Sequence, residues 1–169
     1  MVTNTPEANQ SWHPAEGLLV RRATAADVPS IVALLRDDEL GAARETASDE
    51  QYLTAFEAID ADADQFLAVL VDDSESQPGK GILGTCQLTF TPGMSRGGSL
   101  RMTIESVRVD SAVRGRRLGG TVIGWSIDYA RERGADLVQL TTDKTRTSAH
   151  EFYRRLGFTA THEGMKLSL

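Results

Sequence analysis

Cysteine is nearly absent from this sequence of 169 residues, in which Cys86 is the single example. One cysteine excludes a framework of internal disulfide bonds and suits a reducing compartment. Residues 1–17 also lack the basic start and the apolar run that typify a secretory signal. We therefore predict a cytoplasmic protein.

Long apolar runs and an excess of positive charge are missing as well. No stretch approaches the ~20 apolar residues of a membrane-spanning helix, so no membrane partner is expected. The 24 acidic residues outnumber the 18 basic ones and give a net charge of −6. An acidic chain argues against a general nucleic-acid-binding protein, whose affinity depends on a basic surface.

The remaining composition is that of a globular domain. Hydrophobic residues make up 40% and charged residues 25% of the chain, which are ordinary values for globular proteins. Residues 1–17 are polar and without periodicity, and they include Pro6 and Pro14. We predict a flexible N-terminal arm over these residues and a single domain over residues 18–169.

Apolar periodicity and turn residues predict the order of the elements. Helices are expected to begin at Thr24 or Asp27, at Ser48, and at Ser148, which forms a capping box with Glu151. The last of these helices is expected to end at Gly157. Strands are predicted over residues 17–22, 66–71 and 82–90, with one or two more over residues 158–169.

The chain is organised around residues 104–140. We interpret residues 104–109 as a strand, the following turn as rich in arginine and glycine, and residues 118–130 as an amphipathic helix. Gly134 stops the helix, and residues 137–140 form a second apolar strand. This β-α-β unit predicts two parallel strands with a right-handed crossover.

The turn of this unit places glycines and cations where the strand becomes a helix. Its glycines and arginines are Gly115, Gly119, Gly120, Arg114, Arg116 and Arg117. Glycine lets backbone N–H groups approach a ligand closely, and the helix N-terminus adds about half a positive charge. The turn therefore predicts a pyrophosphate or polyanion site, with a solvated basic turn as the alternative. Neither the P-loop nor the dinucleotide fingerprint is matched.

The turn resembles the coenzyme A motif of the GCN5-related N-acetyltransferase (GNAT) superfamily, Gln/Arg-x-x-Gly-x-Gly/Ala after a strand. Arg114 matches the first position and Gly119 the last, while Arg117 stands where the family has its middle glycine. Residues 149–158 match the family's second signature, Ala-x-x-Phe/Leu-Tyr-x-x-x-Gly-Phe. The resemblance extends over nearly the whole chain from Leu18 onward. It implies an α/β fold with a mixed sheet, a central splayed pair of parallel strands, and helices on both faces.

The resemblance also implies acetyl-CoA as co-substrate. The pantetheine arm is expected to pair with the first central strand, where the backbone N–H of Val107 would polarise the thioester carbonyl. Arg146 stands where relatives often have an asparagine that contacts the cofactor, and we interpret its side chain as solvated. The expected cofactor-binding residues are Val107, Arg108, Val109, Arg114, Gly115, Arg116, Arg117, Leu118, Gly119, Gly120 and Thr121.

Two residues are candidates for acid–base catalysis. Tyr153 occupies the leaving-group position of the family, and its ordinary pKa near ~10 keeps it protonated at neutral pH; core packing is the alternative. Glu105 is the candidate base, acting through water on an ammonium substrate. An ion pair with Arg108 or Arg101 is the alternative for Glu105. Cys86 alternates with apolar residues, which indicates a structural thiol.

These observations together predict an N-acetyltransferase that acts by direct attack of a primary amine, of a small molecule, in a ternary complex. The acidic residues 37–39 favour a cationic amine, with a solvated charge run as the alternative. A non-catalytic acyl-CoA-binding regulatory module and an acetyltransferase of protein N-termini or lysines are the other hypotheses. Dimers are common among the proteins that the chain resembles, so a homodimer is expected.

Overall fold

A computed structural model of the chain describes residues 10–37, 42–113 and 115–168. Within them one sheet is formed by β1 (Ser11–Ala15), β2 (Leu18–Arg22), β3 (Gln65–Asp72), β4 (Ile82–Pro92), β5 (Leu100–Val109) and β6 (Leu137–Leu140), in that order. The helices are α1 (Val28–Arg36), α2 (Asp49–Asp60), α3 (Leu118–Glu132) and α4 (Thr147–Arg155). Neighbouring strands are antiparallel, except that β5 and β6 are parallel. The predicted mixed sheet is therefore confirmed.

Helices pack on both faces of the sheet because β2 and β3 carry apolar residues on both sides. On one face, Val122, Ile123 and Trp125 of α3 join a buried core with Leu88 and Met102 of the sheet. On the other face, α1 and α2 pack against β2 and β3 in a second buried core. Its members are Leu19, Ala23, Val28, Ile31, Val32, Phe56, Leu67, Val69 and Val71. In the described residues, no helix has the length and apolar character that crossing a membrane requires.

Local signals place the start of α2 and the end of α3. Ser48 caps α2 in a capping box, because the Gln51 N–H donates to Ser48 Oγ (3.3 Å) and the Ser48 N–H donates to Gln51 Oε1 (2.9 Å). The positive φ of Gly134, +75°, follows the end of α3, as expected of a glycine that stops a helix. Both predicted boundaries are confirmed.

The N-terminal arm is shorter than predicted, because residues 11–15 form β1. This strand pairs antiparallel with β2 and brings Trp12 against Trp125 and Tyr129, with ring centroids 5.4 and 5.3 Å apart. The polar sequence around Trp12 hides the strand, since one large apolar residue gives no periodicity. The rest of the predicted arm, residues 1–9, lies outside the described residues.

Two predictions for the C-terminal part are wrong. Residues 158–168 contain no strand, and Met165 and Leu167 are 96% and 86% exposed, so their alternation buries no apolar surface. Helix α4 begins at Thr147 with Arg146 at its N-cap, where no side chain caps the helix. Ser148 therefore lies inside the first turn, and the Ser148–Glu151 capping box does not start the helix.

Candidate active site

The two parallel strands separate at their carboxyl ends. Their pairing runs from Arg101 opposite Leu137 to Ile104 opposite Leu140, where β6 ends. Strand β5 continues to Val109 and remains paired with β4. Backbone groups of residues 105–109 that point away from β4 therefore have no strand partner in the described part of the chain. This gap is the splay that the resemblance implied.

A bulge in β5 lies beside the gap. Ser106 has a positive φ of +52°, and the register with β4 shifts between Thr85 and Gln87. An extra residue in one strand bends it and increases its twist. Glu105, just before the bulge, is exposed, whereas Val107 and Val109 after it pack partly buried against the α3 core. No sequence signal marked Ser106, because serine has no particular preference for this backbone conformation.

The turn after β5 opens the N-terminus of α3 to a ligand. The first backbone N–H groups of a helix, here those of Leu118, Gly119 and Gly120, have no acceptor within the helix. A Cβ atom added to Gly115 or Gly120 would meet no atom within 4 Å. Among the described residues the turn therefore has N–H donors without an acceptor, and it has open space, which fits a pyrophosphate group. Arg114 lies outside the described residues, and Arg116, Arg117 and Thr121 are exposed or half-buried.

Arg117 explains why the family pattern has a glycine at this position. It is the N-cap of α3 and adopts the left-handed conformation, with φ +58° and ψ +20°. Glycine reaches this region without a steric penalty, whereas residues with a Cβ do not. The chain therefore keeps the backbone geometry of the motif while adding a cation at the turn.

The two sequence signatures meet in space. A Cβ atom at Gly119 would lie 3.6 Å from Phe152 Cζ, so the ring of Phe152 covers the first turn of α3. The neighbouring Tyr153 ring packs edge-on against Phe152 and Phe158, with centroids 5.1 and 5.9 Å away. The second signature thus supports the turn of the first through packing of α4 on α3.

Tyr153 is half-buried beside the α3 core, where Val107 and Val109 of β5 also pack. Burial raises the pKa of its hydroxyl, while the nearby charges of Arg146 and Arg108 act in the opposite direction. The side chain is therefore protonated at neutral pH. Arg146 itself is half-buried, and its interpretation as a solvated side chain stays a prediction.

Glu105 lies on the opposite face of β5 from Tyr153. It alternates with Met102 and Ile104, which face α3, and its side chain is exposed. Within the described residues Glu105 forms no ion pair with Arg101 or Arg108. Arg108 instead donates from Nη1 to the carbonyl oxygen of Val107 at 2.9 Å. The predicted acid and base therefore flank the gap from its two sides.

Cys86 is fully buried, and its Sγ lies 3.6 Å from Ser126 Oγ. Burial raises the pKa of this thiol to about 12, despite the opposing effect of the Ser126 hydrogen bond. A thiol that is neither exposed nor ionised is a poor nucleophile. Its predicted structural role agrees with this position.

Of the acidic residues 37–39 that follow α1, the structure describes Asp37. The carboxylate of Asp37 accepts a hydrogen bond from the backbone N–H of Ser111 at 3.0 Å, which ties the end of α1 to the turn after β5. Asp38 and Glu39 lie outside the described residues. That residues 37–39 favour a cationic amine therefore stays a prediction, and Asp37 has a structural role as well.

Comparison with known proteins identifies the family. Residues 29–158 match the Acetyltransferase (GNAT) family. The chain belongs to the GNAT acetyltransferase family. This confirms the family and the fold that the two signatures predicted.

Curated GNAT relatives match only part of this chain. It is 36% identical over 59 residues to an aminoalkylphosphonate N-acetyltransferase of Salmonella typhimurium, which is 35% of this chain and 38% of the relative. It is 34% identical over 93 residues to a glucosamine 6-phosphate N-acetyltransferase of Trypanosoma brucei brucei, or 55% and 61% of the two chains. The chain thus spans less than two thirds of the length of these relatives.

A solved structure matches a larger share of the chain. The crystal structure of a transcriptional regulator from Bacillus halodurans has a TM-score of 0.82 and 42% sequence identity. The match covers 90% of this chain and 99% of that one. The two proteins therefore share most of their fold.

Proposed function

We propose that this protein transfers an acetyl group from acetyl-CoA to the primary amine of a small molecule by direct attack in a ternary complex. The observation that carries this proposal is the gap beside residues 105–109. It leads to the open N-terminus of α3 at one end and has Tyr153 and Glu105 on its two sides. Family membership supports an acyl-CoA donor, and the curated relatives named above are N-acetyltransferases.

The gap and the turn fit the donor. When bound, acetyl-CoA supplies an activated thioester. The N–H groups of Leu118, Gly119 and Gly120 are available for its pyrophosphate, and Arg116 and Arg117 add positive charge. The backbone groups of β5 that have no strand partner among the described residues can pair with the pantetheine arm as a further strand would. Among them, the N–H of Val107 is the expected donor to the thioester oxygen, where negative charge develops.

The two proposed proton transfers take place on opposite faces of the sheet, one at Tyr153 and the other at Glu105. The Tyr153 hydroxyl, held protonated by its partly buried position, donates a proton to the departing thiolate. The exposed carboxylate of Glu105 accepts a proton from the amine through water, on the side that solvent reaches. Their placement on opposite faces allows the amine to approach from one side while the thiolate departs toward the other.

Direct attack agrees with the position of Cys86. An acyl-enzyme route through cysteine would require an exposed thiolate at the gap. In the described residues the chain's one thiol is buried and has a pKa raised to about 12 by burial. The position of Cys86 therefore argues against an acetyl-cysteine intermediate and supports direct attack by the amine.

A regulatory acyl-CoA-binding module is the second candidate, because the 42% identical Bacillus halodurans protein is described as a transcriptional regulator. The two candidates differ in turnover. Such a module would bind acetyl-CoA without consuming it, and would have no need for a protonated tyrosine on one side of the gap and a carboxylate on the other.

The deciding experiment is a screen of small primary amines, and of peptides with free N-termini or lysines, with acetyl-CoA and detection of the released thiol. We expect amine-dependent release with at least one small amine. Binding of acetyl-CoA without release from any amine would favour the regulatory module. Release with peptides alone would favour a protein acetyltransferase.

A further inference from the structure

The face of the sheet that carries Glu105 also carries a group of neutral polar side chains, which we name the polar patch. Its members are Gln65, Gln87, Thr89, Thr103 and Gln139. Pairing places Gln65 opposite Thr89, Thr89 opposite Thr103, and Thr103 opposite Gln139, in one row across four strands. Gln87 lies in the next row, directly opposite Glu105.

The polar patch begins where the helices stop covering this face. Along β3, Val71, Val69 and Leu67 are buried in the core with α1 and α2, and Gln65 follows at the next position of the same face. All five patch residues are half-buried in the described structure. They therefore form a partly buried surface next to Glu105 that is neither part of the core nor fully exposed.

Hydrogen bonds within the polar patch fix the orientation of its amides. Gln65 Oε1 accepts from Gln87 Nε2 (3.1 Å) and from Thr89 Oγ1 (2.9 Å). Gln139 Nε2 donates to Thr103 Oγ1 at 3.1 Å. In this arrangement the amide nitrogen of Gln65 and the amide oxygens of Gln87 and Gln139 have no partner among the described residues. The patch thus presents both hydrogen-bond donors and acceptors to a ligand.

Such a surface matches hydroxyl groups better than other chemistry. A hydroxyl group both donates and accepts hydrogen bonds. It can therefore pair with the amide nitrogen of Gln65 or with the amide oxygens of Gln87 and Gln139. An alkyl group would remove water from these amides without replacing its hydrogen bonds, which is costly. A second ammonium would find no carboxylate among the five patch residues.

Charges at the two ends of the patch determine how an acceptor amine is oriented on it. Glu105 attracts an ammonium at one end, while Arg101 is exposed on the same face of β5 and repels it at the other. Thr103 and Glu105 are two residues apart along the strand, or ~7 Å. One sugar-sized molecule spans this distance.

We propose that the acceptor is a polyhydroxylated amine of about the size of an amino sugar. Its hydroxyl groups bind the polar patch while its amine faces Glu105. This inference rests on the proposed function and narrows the class of amine.

The test compares glucosamine with cyclohexylamine, which has a ring of similar size without hydroxyl groups, and aminopropanediol with propylamine. The quantity measured is the ratio of kcat/KM within each pair. We expect Thr103→Val and Thr89→Val to lower this ratio about tenfold, since each removes a hydroxyl at nearly constant volume. Intrinsic differences in amine basicity cancel, because wild type and variant are compared with the same two amines.

Control variants separate binding from folding. Thr103→Ser keeps the hydroxyl and should keep the wild-type ratio, while Thr54→Val makes the same chemical change on α2 and should also leave the ratio unchanged. An unchanged ratio in Thr103→Val and Thr89→Val would overturn the inference and leave the proposed function intact. Absence of thiol release with every amine would instead remove the proposed function, and this inference with it.

Discussion

At the scale of single residues, Tyr153 has two separable parts: its ring packs against the core, and its hydroxyl is the proposed proton donor. Its ring lies between Phe152 and Phe158, so Tyr153→Phe should fold normally while losing the hydroxyl. We expect kcat to fall about 10²-fold or more, the usual scale for a positioned acid, with little change in acetyl-CoA affinity. Tyr129→Phe is the matched control, because that hydroxyl accepts from Arg133 at the far end of α3. An undiminished kcat would assign the protonation of the thiolate to water or another group.

The proposed role of Glu105 should appear in the pH dependence of the reaction, since it depends on the protonation of the substrate amine. At low pH few acceptor amines are neutral, so help with deprotonation matters most there. We expect Glu105→Gln to depress kcat/KM more at low pH than at high pH, measured with the amine that the screen identifies. Parallel pH profiles for wild type and variant would exclude Glu105 from the proton transfer.

Arg117 holds a backbone conformation that favours glycine. Arg117→Gly should raise the free energy of unfolding by about 1 kcal/mol, because glycine enters the left-handed region without a clash of its Cβ. Arg116→Gly is the control: its φ is not positive, so added chain entropy in the unfolded state should lower stability. Urea unfolding measures both, and equal changes in the two variants would contradict the argument.

At the scale of elements, Asp27 connects β2, the start of α1 and the loop before β4. Its buried carboxylate receives both Arg21 Nη atoms (2.7 and 2.9 Å), the Gly79 N–H (2.6 Å) and the Thr24 N–H (2.7 Å). Asp27→Asn leaves the Arg21 charge without its partner, so we expect a loss of about 3 kcal/mol in the free energy of unfolding. Asp60→Asn, which breaks the more exposed pair with Arg22, should cost less than about 1 kcal/mol.

The same carboxylate gives the fold a dependence on acid. Burial alone would raise the pKa of Asp27, but the hydrogen bonds from Arg21, Gly79 and Thr24 outweigh it and lower the pKa to about 2. Because the folded value lies below the ordinary ~3.9, this stabilisation is present above about pH 4 and is lost as the pH falls toward 2. Wild type should therefore lose stability more steeply than Asp27→Asn over this interval. Identical slopes in urea unfolding would show that other carboxylates control the acid limb.

Elements with strong local patterns were predictable from the sequence, and those fixed by distant contacts were not. The periodicity of α3 and the start of α2 at Ser48 depend on local residues, so both were predicted correctly. Strand β1 depends on the packing of Trp12 against α3, which no local pattern reveals. The reverse holds for residues 158–168, where an alternation of apolar residues was present without a strand.

At the scale of the whole molecule, some residues of the candidate site are contiguous in a sequence motif, whereas others are brought together only by the pairing of strands in the sheet. Matching signatures led to the turn and to Tyr153, because those residues are contiguous in sequence. The polar patch was not predicted, since its members come from four strands and only the sheet register brings them together. The bulge at Ser106 was missed for the same reason, as it arises from pairing between β4 and β5.

Binding of acetyl-CoA should be visible in the stability of the entire domain. A ligand that binds only the folded state at a hundred times its Kd adds about 2.7 kcal/mol, which for a chain of this size is a rise in Tm of roughly 5 to 10 °C. Salt should reduce the rise, because phosphate charges meet cations at an exposed turn. Arg116→Ala should weaken the effect, whereas Arg131→Ala should not, since that residue lies at the other end of α3 and pairs with Asp128.

NAD also contains a pyrophosphate but has no pantetheine arm to pair with β5, so it should raise Tm far less. Equal shifts with NAD and acetyl-CoA would mean that the turn binds polyanions without the gap contributing, and the donor site proposed here would then have to be abandoned.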